Sequence, residues 1–456
     1  MRRRVERVHF VGIGGSGMSG IAEVLLNQGY AISGSDLRRS PVTDHLASLG
    51  ARVLEGHAAR NVHGAQVVVT STAVRTDNPE LAEARRLAIP VIPRAEMLAE
   101  IMRPKYAIAV SGSHGKTTTT SMIAAVLDQG GLDPTVVVGG RLSTLGSGAR
   151  LGKGEYVVAE ADESDRSFLK LYPTLAVVTN VDREHLDTYS GLEDLLQAFA
   201  AFAGRVPFYG ALIVCSDDLA SRSLLARVAR RGVSYGLLPG AQISAREVEL
   251  RAAGSRYLAT LEDAELGPVE LAVPGEHNVL NSLAAVTVGL EIGLPFEAIA
   301  AGLAAFRGVD RRFQWKGESR GVSVLDDYGH HPTEIRATLR TLRRLAGERR
   351  TLVLFQPHRY TRTQALWQEF CEAFAGADLL LVCDVYAASE DAVPGVDGEA
   401  LARAIAGHGI ASRYVGDLER AAEALCAEAH EGDVVLTLGA GNVYRAGEEL
   451  LARRAA

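Results

Sequence analysis

The sequence predicts an α/β protein of three consecutive domains, and three observations carry that reading. At 456 residues the chain is too long for one ordinary hydrophobic core. Two glycine loops, Gly12 to Gly17 and Gly112 to Thr117, each stand between an apolar run that reads as a buried strand and a segment of helical character. Beyond residue 316, strand candidates and helices alternate, as in a doubly wound sheet. The divisions are drawn at 1–104, a Rossmann-like domain, 105–315, a P-loop domain, and 316–456, a second doubly wound domain, with Pro104-Lys105 as the first linker.

Composition narrows the function classes. The formal net charge of −7 argues against a nucleic-acid binder, which needs a basic field. Cys215, Cys371, Cys383 and Cys426 lack CxxC spacing and read as small core residues of a reducing, cytoplasmic protein. Arg2-Arg3-Arg4 is not the start of a signal peptide, because Gly12, Gly14, Gly15 and Gly17 interrupt the apolar run behind it. No stretch approaches 18 consecutive apolar residues, so no membrane partner is expected. Oligomeric state leaves no mark on the sequence. Lysine occurs only at 105, 116, 153, 170 and 316, which makes Lys116 conspicuous.

In the first domain Val5 to Val11 reads as a strand and Met18 to Gln28 as a helix. Gly12-Ile13-Gly14-Gly15-Ser16-Gly17 between them is G-x-G-x-x-G in its proper setting, with Asp36 at the distance expected of a ribose-binding acid. An NAD site and another nucleotide-diphosphate site both satisfy this pattern. Val67 to Ala73 reads as a buried strand ending in hydroxyl residues, among them Ser71, where open α/β sheets place ligands.

In the central domain Ala107 to Val110 leads into Ser111-Gly112-Ser113-His114-Gly115-Lys116-Thr117-Thr118, with a helix over Ser121 to Leu127. Glycines let backbone N–H groups approach phosphates, and the helix start favours negative charge. Lys116 would reach the β/γ-phosphates and Thr117 would face Mg²⁺. As a loop cation Lys116 is expected to be exposed, so its removal should spare the fold. Strand Tyr156 to Glu160 empties into Glu160-Ala161-Asp162-Glu163-Ser164-Asp165, which demands compensating cations. Strand Leu175 to Thr179 ends near His185. Asn278 and Asn281 share one helix face, where an amide could pair with adenine. Spacing alone makes Asn278 a helix cap.

In the third domain Val322 to Asp327 is a strand, and Pro332 fits a helix start. His330-His331 reads as a turn pair. Strand Thr351 to Phe355 delivers His358, Arg359 and Arg362, and planar guanidinium groups suit a carboxylate. Gly439-Ala440-Gly441-Asn442 could hold an anion weakly.

Several of these segments resemble one family. Gly-Ser-His-Gly-Lys-Thr-Thr-Thr, which lacks the first glycine of the general P-loop, looks like the ATP loop of the Mur ligases, which build the peptide of bacterial cell-wall precursors. Glu-Ala-Asp-Glu-Ser-Asp and Glu-His-Leu-Asp-Thr-Tyr are similar to the two magnesium motifs of the family, and Gly-Ile-Gly-Gly-Ser-Gly-Met-Ser-Gly-Ile-Ala, Asp-Asp-Tyr-Gly-His-His-Pro and Pro-His-Arg-Tyr-Thr-Arg to motifs of its alanine-adding branch. The resemblance implies UDP-N-acetylmuramate at Gly12, Gly14, Gly15, Ser16, Gly17, Asp36 and Ser71. It implies ATP at Gly112, Ser113, His114, Gly115, Lys116, Thr117, Thr118, Asn278, Asn281, Arg312 and Asp327, and Mg²⁺ on Thr117, Glu160 and His185. Tyr328, His358, Arg359 and Arg362 would contact L-alanine, and Lys116, Glu160, His185 and Arg312 would be catalytic. One departure stands out: several Mur ligases carry a carbamylated lysine after the histidine motif, whereas no lysine lies between 170 and 316 here. Glu193 or Asp194 is a candidate replacement. The readings set against a ligase of alanine are a ligase of muramyl peptides, an NAD-dependent dehydrogenase and a UDP-sugar sensor. The phosphate loop opposes the last two.

Overall fold

The computed structural model describes residues 5–15, 17–139, 149–185, 187–388 and 390–455. Ser16, expected in the first loop, lies outside them. Three sheets form in sequence order. The first has five parallel strands in the spatial order Arg52–Glu55, Ala31–Asp36, Arg7–Val11, Val67–Thr70, Val91–Pro93. Strand order reverses beside Arg7–Val11, so the Gly12 loop opens at the topological switch point, where crevices form in such sheets.

The central sheet has ten strands. Tyr106–Ser111 lies between Leu175–Val178 and Tyr156–Glu160, parallel to both. Their register pairs Ser111 with Val178 and Val110 with Glu160, so the phosphate loop, the acidic run and the histidine segment leave the sheet side by side. Ile243–Arg251, Gly254–Leu261 and Ala264–Leu271 extend the far edge as antiparallel strands. The third sheet has six strands, parallel except for the edge strand Gln314–Ser319, which pairs antiparallel with Val322–Asp327. The 315/316 division therefore falls inside that strand.

Two local expectations change. The helix after the phosphate loop runs Lys116–Gln129, starting well before Ser121. β-Branched threonines weaken helices, but all four here are buried, and Thr120 Oγ1 and Ser121 Oγ bond carbonyls one turn back at 2.8 and 2.6 Å. Asn278 is no cap: the helix is Glu276–Glu291 with Gly275 ahead of it, and the Asn278 amide donates to the Pro274 carbonyl at 2.7 Å.

Candidate active site

The phosphate loop is strapped to the neighbouring strand end. Thr179 Oγ1 donates to the His114 carbonyl at 2.6 Å, and Asn180 Oδ1 accepts the His114 N–H at 2.8 Å. Gly112 holds φ +130°, and a Cβ there would sit 2.1 Å from Thr179 Oγ1; at Gly115, φ +81°, it would sit 2.6 Å from Asn281 Oδ1. Only glycine permits this curl. Among the described residues no side chain caps the helix start at Lys116, which leaves its N-terminal dipole to a ligand.

Lys116 is not the exposed cation expected from sequence. Its side chain is 15% exposed, and Nζ donates to the Gly112 carbonyl at 2.6 Å and to Glu163 Oε1 at 2.8 Å. Burial works to lower its pKa, but Glu163, Asp162 and Glu160 outweigh burial and raise it. Glu163 is wholly buried; it also meets His185 Nε2 at 3.2 Å, and its Oε2 has no hydrogen-bond partner among the described residues. Glu160 lies on the other side, with Thr117 Oγ1 at 3.1 Å and the Gly139 N–H at 2.8 Å. His185 therefore sits on Glu163, not on Glu160. Spacing alone did not single out Glu163, although it lies in the acidic run. Glu163, Glu184 and His185 place ligand atoms within 4.8 Å of one another. Oxygen-rich donors and a partnerless buried carboxylate oxygen fit a hard divalent cation. Neither candidate for the missing lysine joins the cluster: Glu193 pairs with Arg227 at 2.6 Å, and Asp194 with Arg166 at 2.6 Å.

Beside the loop is a cavity of about 450 Å³, ample for a nucleoside. His114, Gly115, Thr118, Asn278, Asn281, Arg312 and Asp327 line it, as does His277, which sequence reasoning missed. Burial, with Arg340 and Arg312 nearby, pushes His277 down to about 4, so it is neutral. Burial also lifts Asp327 to about 6, against the pull of Arg312 and two backbone N–H donors. The Arg312 guanidinium lies 5.0 Å above the Tyr328 ring.

A smaller cavity, about 220 Å³, opens between the central and third domains. Glu184, His185, Asp187, Arg359 and Arg362 face it, with Ala365 and Leu366 as its apolar wall. Arg362 Nη2 meets Glu184 Oε1 at 3.0 Å, and Arg359 Nη1 meets Asp187 Oδ2 at 3.4 Å. Tyr328 and His358 do not line this cavity. His358 stacks on Tyr386 and faces Arg362 Nη1 at 3.1 Å through Nδ1. Burial and the cations around it drive His358 down to about 3, leaving Nδ1 free to accept. Backbone strain collects here: His185 and Arg359 hold φ of 55° and 69°. In the Gly439 loop the Gly439 and Gly441 carbonyls accept from Arg311 at 2.6 and 3.0 Å, and the Gly439 and Asn442 N–H groups donate to the Asp327 carbonyl and Gln356 Oε1 at 3.0 and 3.1 Å. His331 caps the Pro332–Ala346 helix by accepting the Thr333 N–H, while His330 lies 3.6 Å from Glu184.

In the first domain Asp36 Oδ2 accepts the Gly14 N–H at 2.9 Å and so braces the glycine loop itself. Ser71 follows the Val67–Thr70 strand, which runs parallel to Arg7–Val11 and ends at the same edge of the sheet. This crevice meets the acidic run through Arg94, which lies against Gly17 and 3.5 Å from Asp162, and through Thr72, 3.3 Å from Asp165. Arg94 was also missed; nothing in its local spacing marks it.

Comparison with known proteins agrees with this three-part layout. Residues 7–106 match the family model described as Mur ligase family, catalytic domain; 110–289 match the Mur ligase middle domain; 311–441 match the Mur ligase, glutamate ligase domain. The chain belongs to the Mur ligase family. Among relatives of this Mur ligase, the UDP-N-acetylmuramate–L-alanine ligase of Solibacter usitatus is 56% identical, over 99% of this chain and 96% of its own. The protein of the same name from Geobacter sulfurreducens is 53% identical, over 99% and 98%. The solved UDP-N-acetylmuramate-alanine ligase of Thermotoga maritima superposes with a TM-score of 0.84 at 29% identity, covering 98% of each chain. A murein peptide ligase from Psychrobacter arcticus shares the fold, at 22% identity and a TM-score of 0.74.

Proposed function

We propose that this Mur ligase joins L-alanine to the lactyl carboxylate of UDP-N-acetylmuramate, using ATP, in the assembly of peptidoglycan precursors. The observation that carries the reading is the meeting of three crevices. The phosphate loop, the first-domain crevice and the arginine-lined cavity converge on residues 160–165, 182–185 and Asp187. The small cavity suits one small amino acid better than a preformed peptide.

The reaction has two steps. A lactyl carboxylate oxygen attacks the γ-phosphorus of ATP, and ADP leaves. The amine of alanine, having lost a proton, then attacks the acyl carbon, and phosphate leaves with the electrons of the broken C–O bond. Lys116 and the open helix start hold the phosphates, while Arg312 neutralises the charge developing on the transferred group. Asn278 and Asn281 face the base. Arg362 and Arg359 hold the alanine carboxylate once it displaces Glu184 and Asp187, and closure of the third domain excludes water from the acyl phosphate. Thr117 with Glu160 on one side of Lys116, and Glu163 with His185 on the other, would each hold Mg²⁺, which supplies charge neutralisation at the triphosphate. No helix is long and apolar enough to cross a membrane among the described residues. Charged nucleotide substrates place the reaction in the cytoplasm.

The test is phosphate release by the full chain, across amino acids, with and without UDP-N-acetylmuramate. Release that requires both the UDP-sugar and L-alanine is expected. Release driven by a muramyl peptide substrate, with no response to alanine, would overturn the reading.

A further inference from the structure

We propose that the start of the third-domain helix, Thr333 and Glu334, is a positioning element for ATP turnover, acting through His114 of the phosphate loop. Glu334 divides its two oxygens between different tasks. Oε2 accepts the His330 and His331 N–H groups at 3.0 and 3.3 Å, completing the capping box of the Pro332–Ala346 helix. Oε1 reaches across the domain boundary, 3.4 Å from His114 Nδ1 and 3.6 Å from Arg312 Nη1. Capping alone needs only a neutral acceptor, and an amide would supply it. The second oxygen, placed between two cationic groups, is explained by the phosphate site.

The other nitrogen of His114 is held as well. Nε2 lies 3.0 Å from Asp182 Oδ2, and that oxygen accepts Thr333 Oγ1 at 2.7 Å. A carboxylate at each nitrogen favours the imidazolium, which donates to Asp182 and forms an ion pair with Glu334. Burial alone would lower the His114 pKa, but Asp182 and Glu334 raise it to about 10. Its ring also packs 4.7 Å from that of His331. One carboxylate on His114 comes from the central domain and the other from the third. His114 stands two residues before Lys116 in the phosphate loop. Docking of the third-domain helix and the final geometry of the phosphate loop are therefore one event, which limits phosphoryl transfer to the closed enzyme.

The reading rests on the proposed ligase activity, and the experiment separates the two. Steady-state kinetics of the full enzyme are measured with each substrate varied, for wild type, Glu334→Gln, Thr333→Val, His114→Gln and the His114→Gln/Glu334→Gln double variant. Glu334→Gln keeps a cap acceptor and loses the charge shared by His114 and Arg312. It should raise KM for ATP and lower kcat by about tenfold each, the scale of a charged hydrogen bond. KM values for the UDP-sugar and alanine should stay within about twofold. The double variant should be no worse than the more impaired single variant by more than about twofold, because the two residues act as one unit. Glu334→Asp, which keeps the charge, should recover part of the loss. A folded Glu334→Gln enzyme with ATP parameters within about twofold of wild type overturns the proposal, as do fully additive losses in the double variant. Should Glu334→Gln fail to fold, Thr333→Val decides: it leaves the cap intact, and an unchanged KM for ATP there overturns the proposal. A wild type whose phosphate release ignores UDP-N-acetylmuramate and alanine would defeat the ligase reading instead.

Discussion

Replacing Lys116 with alanine tests the stability and the chemistry of the phosphate loop together. The Lys116 side chain is 15% exposed and that of Glu163 is 0% exposed, with 2.8 Å between their charged atoms. Removing the ammonium leaves the buried Glu163 with His185 at 3.2 Å as its remaining ion partner among the described residues, and with an oxygen that has none. Breaking a buried pair from one side costs about 3–5 kcal/mol. A domain of this size loses about 2–4 °C per kcal/mol, so its transition should fall by roughly 6–20 °C. Turnover should fall by about 10²–10³ for loss of one preorganised charge. Lys116→Ala/Glu163→Gln separates the two effects. Without the stranded carboxylate, most of the stability should return, while turnover stays low. The assays are calorimetric melting and phosphate release. A Lys116→Ala protein that melts like wild type refutes the buried-pair argument, and a double variant that regains turnover refutes the phosphate role of Lys116.

Other expectations follow from the same geometry. Arg362→Lys and Arg359→Lys should weaken apparent alanine affinity by roughly one to two decades, with Arg362 the more sensitive, because lysine keeps the charge and loses the fork. Normal alanine dependence in both would put the alanine site elsewhere, with the KM for the UDP-sugar as internal control. His114 titrates near 6.5 when unfolded and about 10 when folded, so its contribution is complete below pH 6.5 and is lost as pH rises through 10. Urea midpoints between pH 6 and 10 should decline for wild type and run flatter for His114→Gln; equal slopes would count against this. Calorimetric titration of the full chain should show heat for UDP-N-acetylmuramate and none for NAD, and the opposite pattern would return the first loop to a dehydrogenase.

The features read directly from the sequence are those with causes a few residues apart. Gly12 to Gly17 and Gly112 to Thr117 announce turns because only glycine reaches the backbone angles required, and apolar runs on either side mark strand and helix. The paired motifs that carry the family resemblance are likewise contiguous. Tertiary structure decided what stands beside what. Sheet order sets the strand of Glu160 against the strand of the phosphate loop, and a turn then carries Glu163, not Glu160, onto Lys116 and His185. Burial turned Lys116 from an expected surface charge into half of a buried pair. Asn278 became a cavity residue because the chain entered its helix one turn earlier, at Gly275. Glu334 and His114 lie in different domains, and no spacing along the chain relates them. Their meeting depends on how the third sheet docks against the second, a choice made by packing and charge across the domain boundary rather than by local backbone preference.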